Sequence, residues 1–178
     1  MNRDTDTAID WMRQVATIRR CHSSTIVGEY PIGIHCFNMV SMYLIMCSTP
    51  RVKTIREILM HDAGELLTGD LYHVGKKYGG LGVASKRVED LARDKAKVPL
   101  LDLFPEDFQW IHSLDLLEFW LFADDQLHLG NRNFEADHRR AWASLKNMVL
   151  PKPIRDFIQR IDTDRRLRVD RVELMEGK

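Results

Sequence analysis

An all-α fold is predicted by three features of the sequence. Apolar residues recur at helical spacing through most of the chain, period-two alternation never runs beyond four residues, and prolines and glycines fall between the periodic segments. The first segment, Thr5 to Arg20, carries Ile9, Met12, Val15 and Ala16 on one side. Pro31 can open the second at its first turn. That helix carries Ile34, Phe37, Met39, Val40, Met42, Leu44 and Met46, and Pro50 closes it. Being apolar around most of its circumference, it reads as a central, buried helix.

A third helix is expected from Arg51 to Leu67, with Ile55, Ile58 and Leu59 on its face and Gly69 as a left-handed cap. Asp70 to Gly82 reads as a Gly-rich loop, and Ala84 to Lys97 as a charged, exposed helix. Pro105 starts a long helix that Gly130-Asn131 stops near Leu129. Phe134 to Val149 forms another. Pro151 and Pro153 break the chain before Ile154 to Ile161, and the charged tail after Asp164 reads as helical or frayed. With neither repeat nor linker, the 178 residues are expected to form a single domain.

Composition narrows the function. Lys+Arg and Asp+Glu are 26 each, so the formal net charge is zero. A cationic nucleic-acid binder is not expected, because phosphate-backbone affinity needs a positive excess. The three cysteines, Cys21, Cys36 and Cys47, lack CxxC spacing and read as reduced thiols. The polar N-terminus is no signal peptide, and no apolar stretch approaches the roughly 20 residues that span a bilayer. A soluble cytoplasmic protein with no membrane partner is expected.

The chemistry concentrates in LMHDAGELLTGD. His61 and Asp62 are adjacent, and both can reach one ion at the rim of a helix face. Glu65, four residues after His61, projects over the same place. His35 shares a face of the Met-rich helix with Met39, Met42 and Met46, where a buried imidazole needs a partner. Asp115 lies among Leu114, Leu116 and Leu117, where a carboxylate is costly unless paired or ligating. His35, His61, Asp62 and Asp115 would make a set suited to Zn, Mn, Fe, Co or Ni. Glu65 would remain to orient or deprotonate a water. Taken singly each has a plainer reading: a chance His-Asp pair, a hydrogen-bonded core histidine, an aspartate paired with an arginine. Glu118, one turn beyond Asp115, reads first as an ordinary helix residue. Its other readings are a weak second ion site or a group orienting a ligand. The aromatics Trp110, Phe119, Trp120 and Phe122 read as core or subunit contacts.

The string H-D-x-x-E-x-x-T-G-D at His61, Asp62, Glu65, Thr68, Gly69 and Asp70, with His35 before it and Asp115 after, resembles the HD-domain phosphohydrolases. Over about Ile18 to Phe134 it is most similar to the 5′-deoxynucleotidase branch and to the small phage deoxyadenosine triphosphate (dATP) triphosphohydrolases. The resemblance implies packed helices and one essential divalent metal, Zn, Co or Mn, on His35, His61, Asp62 and Asp115. It implies Glu65 acting on the attacking water, Arg20 on the substrate phosphate, Asp70 on the sugar hydroxyl, and Lys76 or Lys77 on phosphate. Arg19 would join Arg20 against a triphosphate, with additional Mg, and His22 would meet the base or lie at the surface.

The expected activity is hydrolysis of 2′-deoxynucleotides at the 5′ ester. A dATP triphosphohydrolase comes first, a 5′-deoxynucleotidase second, and an inactive nucleotide sensor is the reading of another class. Relatives form dimers or hexamers, so a homo-oligomer in a bacterial or phage-infected cytosol is implied. The chain departs from the pattern at Cys21, where the monophosphatase branch has a ribose-blocking tryptophan. It departs also at His112, where a lysine is usual, and in the proline-free loop after Asp70.

Overall fold

The computed structural model describes residues 3–69, 82–98 and 101–175, with side chains described outside 82–86 and 164–175. The order is α1 Arg3–Val15, α2 Ile32–Met46, α3 Val52–Met60, α4 Glu65–Thr68, α5 Gly82–Lys95, α6 Pro105–His128, a 3₁₀ turn Arg132–Phe134, α7 Glu135–Asn147 and α8 Lys152–Met175. Among the described residues there is no strand, only an isolated antiparallel bridge between Arg19 and Pro31. The all-α expectation holds. Among the described residues no helix is long and apolar enough to cross a membrane.

The core gathers on α6. Leu114, Leu117 and Trp120 from this helix meet Met39 and Tyr43 of α2, Ile58 of α3, Leu145 of α7 and Ile154 of α8, all at 1 % exposure or less. At the start of α6, buried Asp107 accepts from the Phe104 backbone N–H at 2.9 Å, the Thr54 hydroxyl at 2.5 Å and Arg51 Nε at 2.9 Å. This fixes the loop before α3 against the first turn of α6. Its other end stops as expected. Gly130 takes φ +83°, its N–H reaches Leu127 O, and the Asn131 N–H reaches Gln126 O, the paired bonds of a left-handed C-cap.

Three expectations need correction. α2 is not the central helix. Ile32, His35, Cys36, Met39 and Tyr43 face inward, but Phe37 is 68 % and Ile45 82 % exposed. An all-round apolar pattern cannot say which face the neighbours cover, and here they cover one. α1 ends at Val15 rather than Arg20; residues 16–31 form a turn-rich excursion instead. Backbone bonds from Ile32 N–H to Ile18 O (2.9 Å), Gly33 N–H to Ala16 O (3.0 Å) and Arg20 N–H to Tyr30 O (2.8 Å) strap its two ends together. The third helix is broken: His61 to Gly64 form tight turns between α3 and α4. At the other end of the chain, helical backbone runs from Lys152 to Met175, so the tail takes the helical one of its two readings.

Candidate metal centre

Two elements and a turn bring the site together. α2 supplies His35, fully buried, from its first turn. The turn after α3 supplies His61 and Asp62, and α4 begins with Glu65. The turn is pinned from both sides. Trp11 Nε1 of α1 donates to Ala63 O at 2.8 Å. Arg93 of α5 donates to Met60 O at 2.9 Å and to Glu57 at 2.7 Å. Inside it, the Glu65 N–H reaches Asp62 O at 2.9 Å. Gly69, at φ +66°, ends α4 with its N–H on Glu65 O, as its left-handed role requires.

His35, His61 and Asp62 each offer a ligand atom, and these lie within 4.8 Å of one another. The outward nitrogens face the same space: His61 Nε2 is 3.2 Å from Asp62 Oδ1, and the two imidazole centroids are 5.6 Å apart. His35 Nε2, His61 Nε2 and Asp62 Oδ2 are buried, and their contacts among the described residues are charged neighbours alone: Asp115 at 3.2 Å, Asp62 Oδ1 at 3.2 Å and Arg20 at 3.9 Å respectively. Buried nitrogens and a carboxylate oxygen gathered this closely, with contacts at 3.2 Å or longer, leave ligand atoms that a cation would bind. Both inner nitrogens are occupied: His61 Nδ1 faces Ile58 O at 2.7 Å and His35 Nδ1 faces Glu118 Oε2 at 2.5 Å. A nitrogen and oxygen donor set presented this way fits a divalent cation, with each histidine steadied behind the ligand atom.

Asp115 stands beside this trio from α6. Its Oδ1 is 3.2 Å from His35 Nε2 and 3.5 Å from Arg20. Arg20 spans the carboxylates, with its other nitrogen 3.9 Å from Asp62. Burial opposes ionisation of Asp115, but the hydrogen bond to His35 and the Arg20 charge outweigh it and hold its pKa far below the usual carboxylate range. For His35, burial and Arg20 favour the neutral ring, yet Asp115 and Glu118 prevail and its pKa is raised. A cation would thus replace the proton that His35 holds toward Asp115. Glu65 is buried at 7 % exposure.

The remaining expected residues divide. Arg19 points to the surface and pairs with exposed Glu29 at 3.1 Å, away from the cluster. Arg19 lies in the isolated bridge to Pro31 and Arg20 in the turn that follows. His22 is exposed, as is His112. Asp70, Lys76 and Lys77 lie outside the described residues, as does the loop that contains them, and so do the side chains of the arginine-rich tail. Trp120 is core and packs against Trp142; Phe122 stacks on Tyr30 at 3.7 Å.

Glu118, read from the sequence first as an ordinary helix residue, lies against His35, Tyr30 and Asn38. The signal was present: a carboxylate between Leu117 and Phe119 in an apolar helix, the same anomaly that singles out Asp115.

No family model matches the sequence, and no curated protein does. Among solved structures the chain is similar to the PH0347 protein from Pyrococcus horikoshii OT3. The TM-score is 0.64 at 17 % identity, over 86 % of this chain and 96 % of that one. That likeness shows a shared fold and supports the all-α architecture.

Proposed function

We propose that the chain is a metal-dependent phosphohydrolase of the HD-domain type. It acts at the 5′ ester of 2′-deoxynucleotides, with a deoxynucleoside triphosphate, dATP first, as substrate. The observation that carries this is the trio His35, His61 and Asp62, within 4.8 Å of one another, beside a guanidinium. His35, His61 and Asp62 would hold one divalent transition metal, Zn, Co or Mn, with Asp115 as the fourth ligand. The ion, when bound, supplies Lewis acidity toward a water and a phosphoryl oxygen.

The chain's own groups do the rest. Glu65, buried beside the ligand turn, takes a proton from the attacking water. Arg20 exchanges its two carboxylate contacts for phosphoryl oxygens, which its planar fork matches. Water oxygen bonds to phosphorus, the bond to the 5′ oxygen breaks, and that oxygen leaves with a proton as the nucleoside. With a triphosphate the other product is intact triphosphate.

One observation favours a monophosphate instead. Of the two arginines only Arg20 reaches the cluster, and a monophosphate needs less countercharge than a triphosphate. Both readings break the same bond. Incubating the protein with each deoxynucleoside mono- and triphosphate, with Zn, Co, Mn or Mg, and separating the products decides. Nucleoside plus triphosphate is the expected result. Nucleoside plus phosphate from monophosphates alone would establish the nucleotidase. No turnover by metal-loaded protein would refute both and leave a nucleotide sensor.

A further inference from the structure

We propose that Glu118 is a positioning residue that sets His35 for metal binding, holding the proton on Nδ1 so that the Nε2 lone pair faces His61 and Asp62. The inference rests on the metal-centre reading above and adds a residue that the resemblance does not assign.

The geometry is that of an acceptor with every role filled. Glu118 is 3 % exposed on α6. Its Oε1 accepts from Asn38 Nδ2 at 2.9 Å. Its Oε2 accepts from the Tyr30 hydroxyl and lies 2.5 Å from His35 Nδ1. Tyr30 Oη is itself 3.3 Å from Nδ1. The tyrosine proton is committed to the carboxylate, so the proton between Glu118 and His35 sits on Nδ1. A neutral imidazole with Nδ1–H has its lone pair on Nε2, the atom turned toward the trio.

The surroundings are rigid. Tyr30 is 2 % exposed and lies nearly parallel to Phe122, at 4° and 3.7 Å. Asn38 and His35 lie one turn apart on α2, which locks the carboxylate to the helix that bears the ligand. A buried carboxylate carries a heavy desolvation cost that hydrogen bonds alone only partly offset. A cation held by Nε2 would offset the remainder, and Glu118 would in turn raise the basicity of Nε2.

The same tyrosine also supports Arg20. The guanidinium carbon lies 5.4 Å from the Tyr30 ring centroid, and the Arg20 N–H bonds Tyr30 O. Tyr30 thus links Arg20, through its ring and its backbone carbonyl, to Glu118, through its hydroxyl.

The test uses the full chain as wild type and as Glu118→Gln, which keeps shape and removes charge. Zinc affinity is measured by competition with a chromogenic chelator, and the visible spectrum of the cobalt-loaded protein reports ligand geometry. Loss of this outer support is expected to weaken zinc binding about 10- to 100-fold and to shift the cobalt bands, in a folded protein. Zinc affinity within twofold of wild type and an unchanged cobalt spectrum would overturn the proposal while leaving the metal centre standing. No zinc bound by wild type would overturn both. Because the variant can fail to fold, the zinc-loaded wild type is also examined by long-range ¹H–¹⁵N correlation. Nδ1 protonated and Nε2 coordinated is the expected pattern for His35; coordination through Nδ1 would overturn the proposal.

Discussion

Replacing Gly64 with alanine perturbs the ligand turn by one methyl group, and the two opposing effects can be weighed. Gly64 has φ −69° and ψ −24°, an ordinary helical conformation. Alanine is therefore unstrained there, and the loss of unfolded-state freedom alone would stabilise by about 0.4–1 kcal/mol. Against this, the new Cβ would lie 2.8 Å from Glu89 Cα and 2.8 Å from Glu89 Cγ. The Cγ can swing away; the Cα belongs to α5 and cannot move without the helix. Overpacking of this kind costs about 1–3 kcal/mol. The net expectation is destabilisation by about 1–2 kcal/mol, or roughly 2–8 °C in Tm for a chain of this size. Because Gly64 lies between Asp62 and Glu65, metal affinity should fall as well. Thermal unfolding with and without zinc measures both. Gly130→Ala serves as a contrast: nothing lies within 4 Å of its Cβ, but φ is +83°, so its cost is backbone strain alone and zinc binding should not change. A Gly64→Ala protein with raised Tm and unaltered zinc binding would refute the close-packing argument.

Further consequences concern the chemistry and pH. Glu65→Gln should keep the metal and lower hydrolysis by roughly 10²- to 10⁴-fold, the usual worth of a general base; a fully active variant would contradict the assignment. His35 has a raised pKa in the metal-free protein, so its contribution to stability is present below its ordinary value of 6.5 and is lost as pH climbs through the raised one. The Tm of chelator-treated protein should therefore decline across that interval, and a Tm that rises there would contradict the pairing with Asp115 and Glu118.

Local signals in the sequence proved dependable where a single residue settles the backbone. Pro105, Gly69 and Gly130 mark a helix start and two stops because each imposes or permits one conformation. Helical periodicity was less informative about extent. The pattern through Thr17 to Arg20 continues that of α1, but bonds to residues 30–33 turn the chain away, and those partners lie ten or more positions on. The exposed face of α2 illustrates the same limit, since burial depends on neighbours rather than on composition. In the site, His35, His61 and Asp62 lie within 4.8 Å of one another, with Asp115 beside His35 but outside that group, and His61 and Asp62 occupy a turn rather than a helix. Arg20 reaches the trio and Arg19, bridged to Pro31, pairs with Glu29 instead, a distinction that two adjacent arginines in a sequence do not carry. Glu118 reads first as an ordinary helix residue, with ligand orientation only a lesser reading, because a carboxylate that serves a histidine has no spacing rule of its own.

The central claim is that His35, His61 and Asp62 hold a metal. Elemental analysis of the wild type and of His61→Ala, each equilibrated with Zn, Co and Mn and then desalted, tests it most directly. The account predicts about one transition-metal ion per wild-type chain, consistent with a single closed ligand set, and its loss in the variant. A wild-type protein that retains no ion, or a variant that retains as much as wild type, would contradict it.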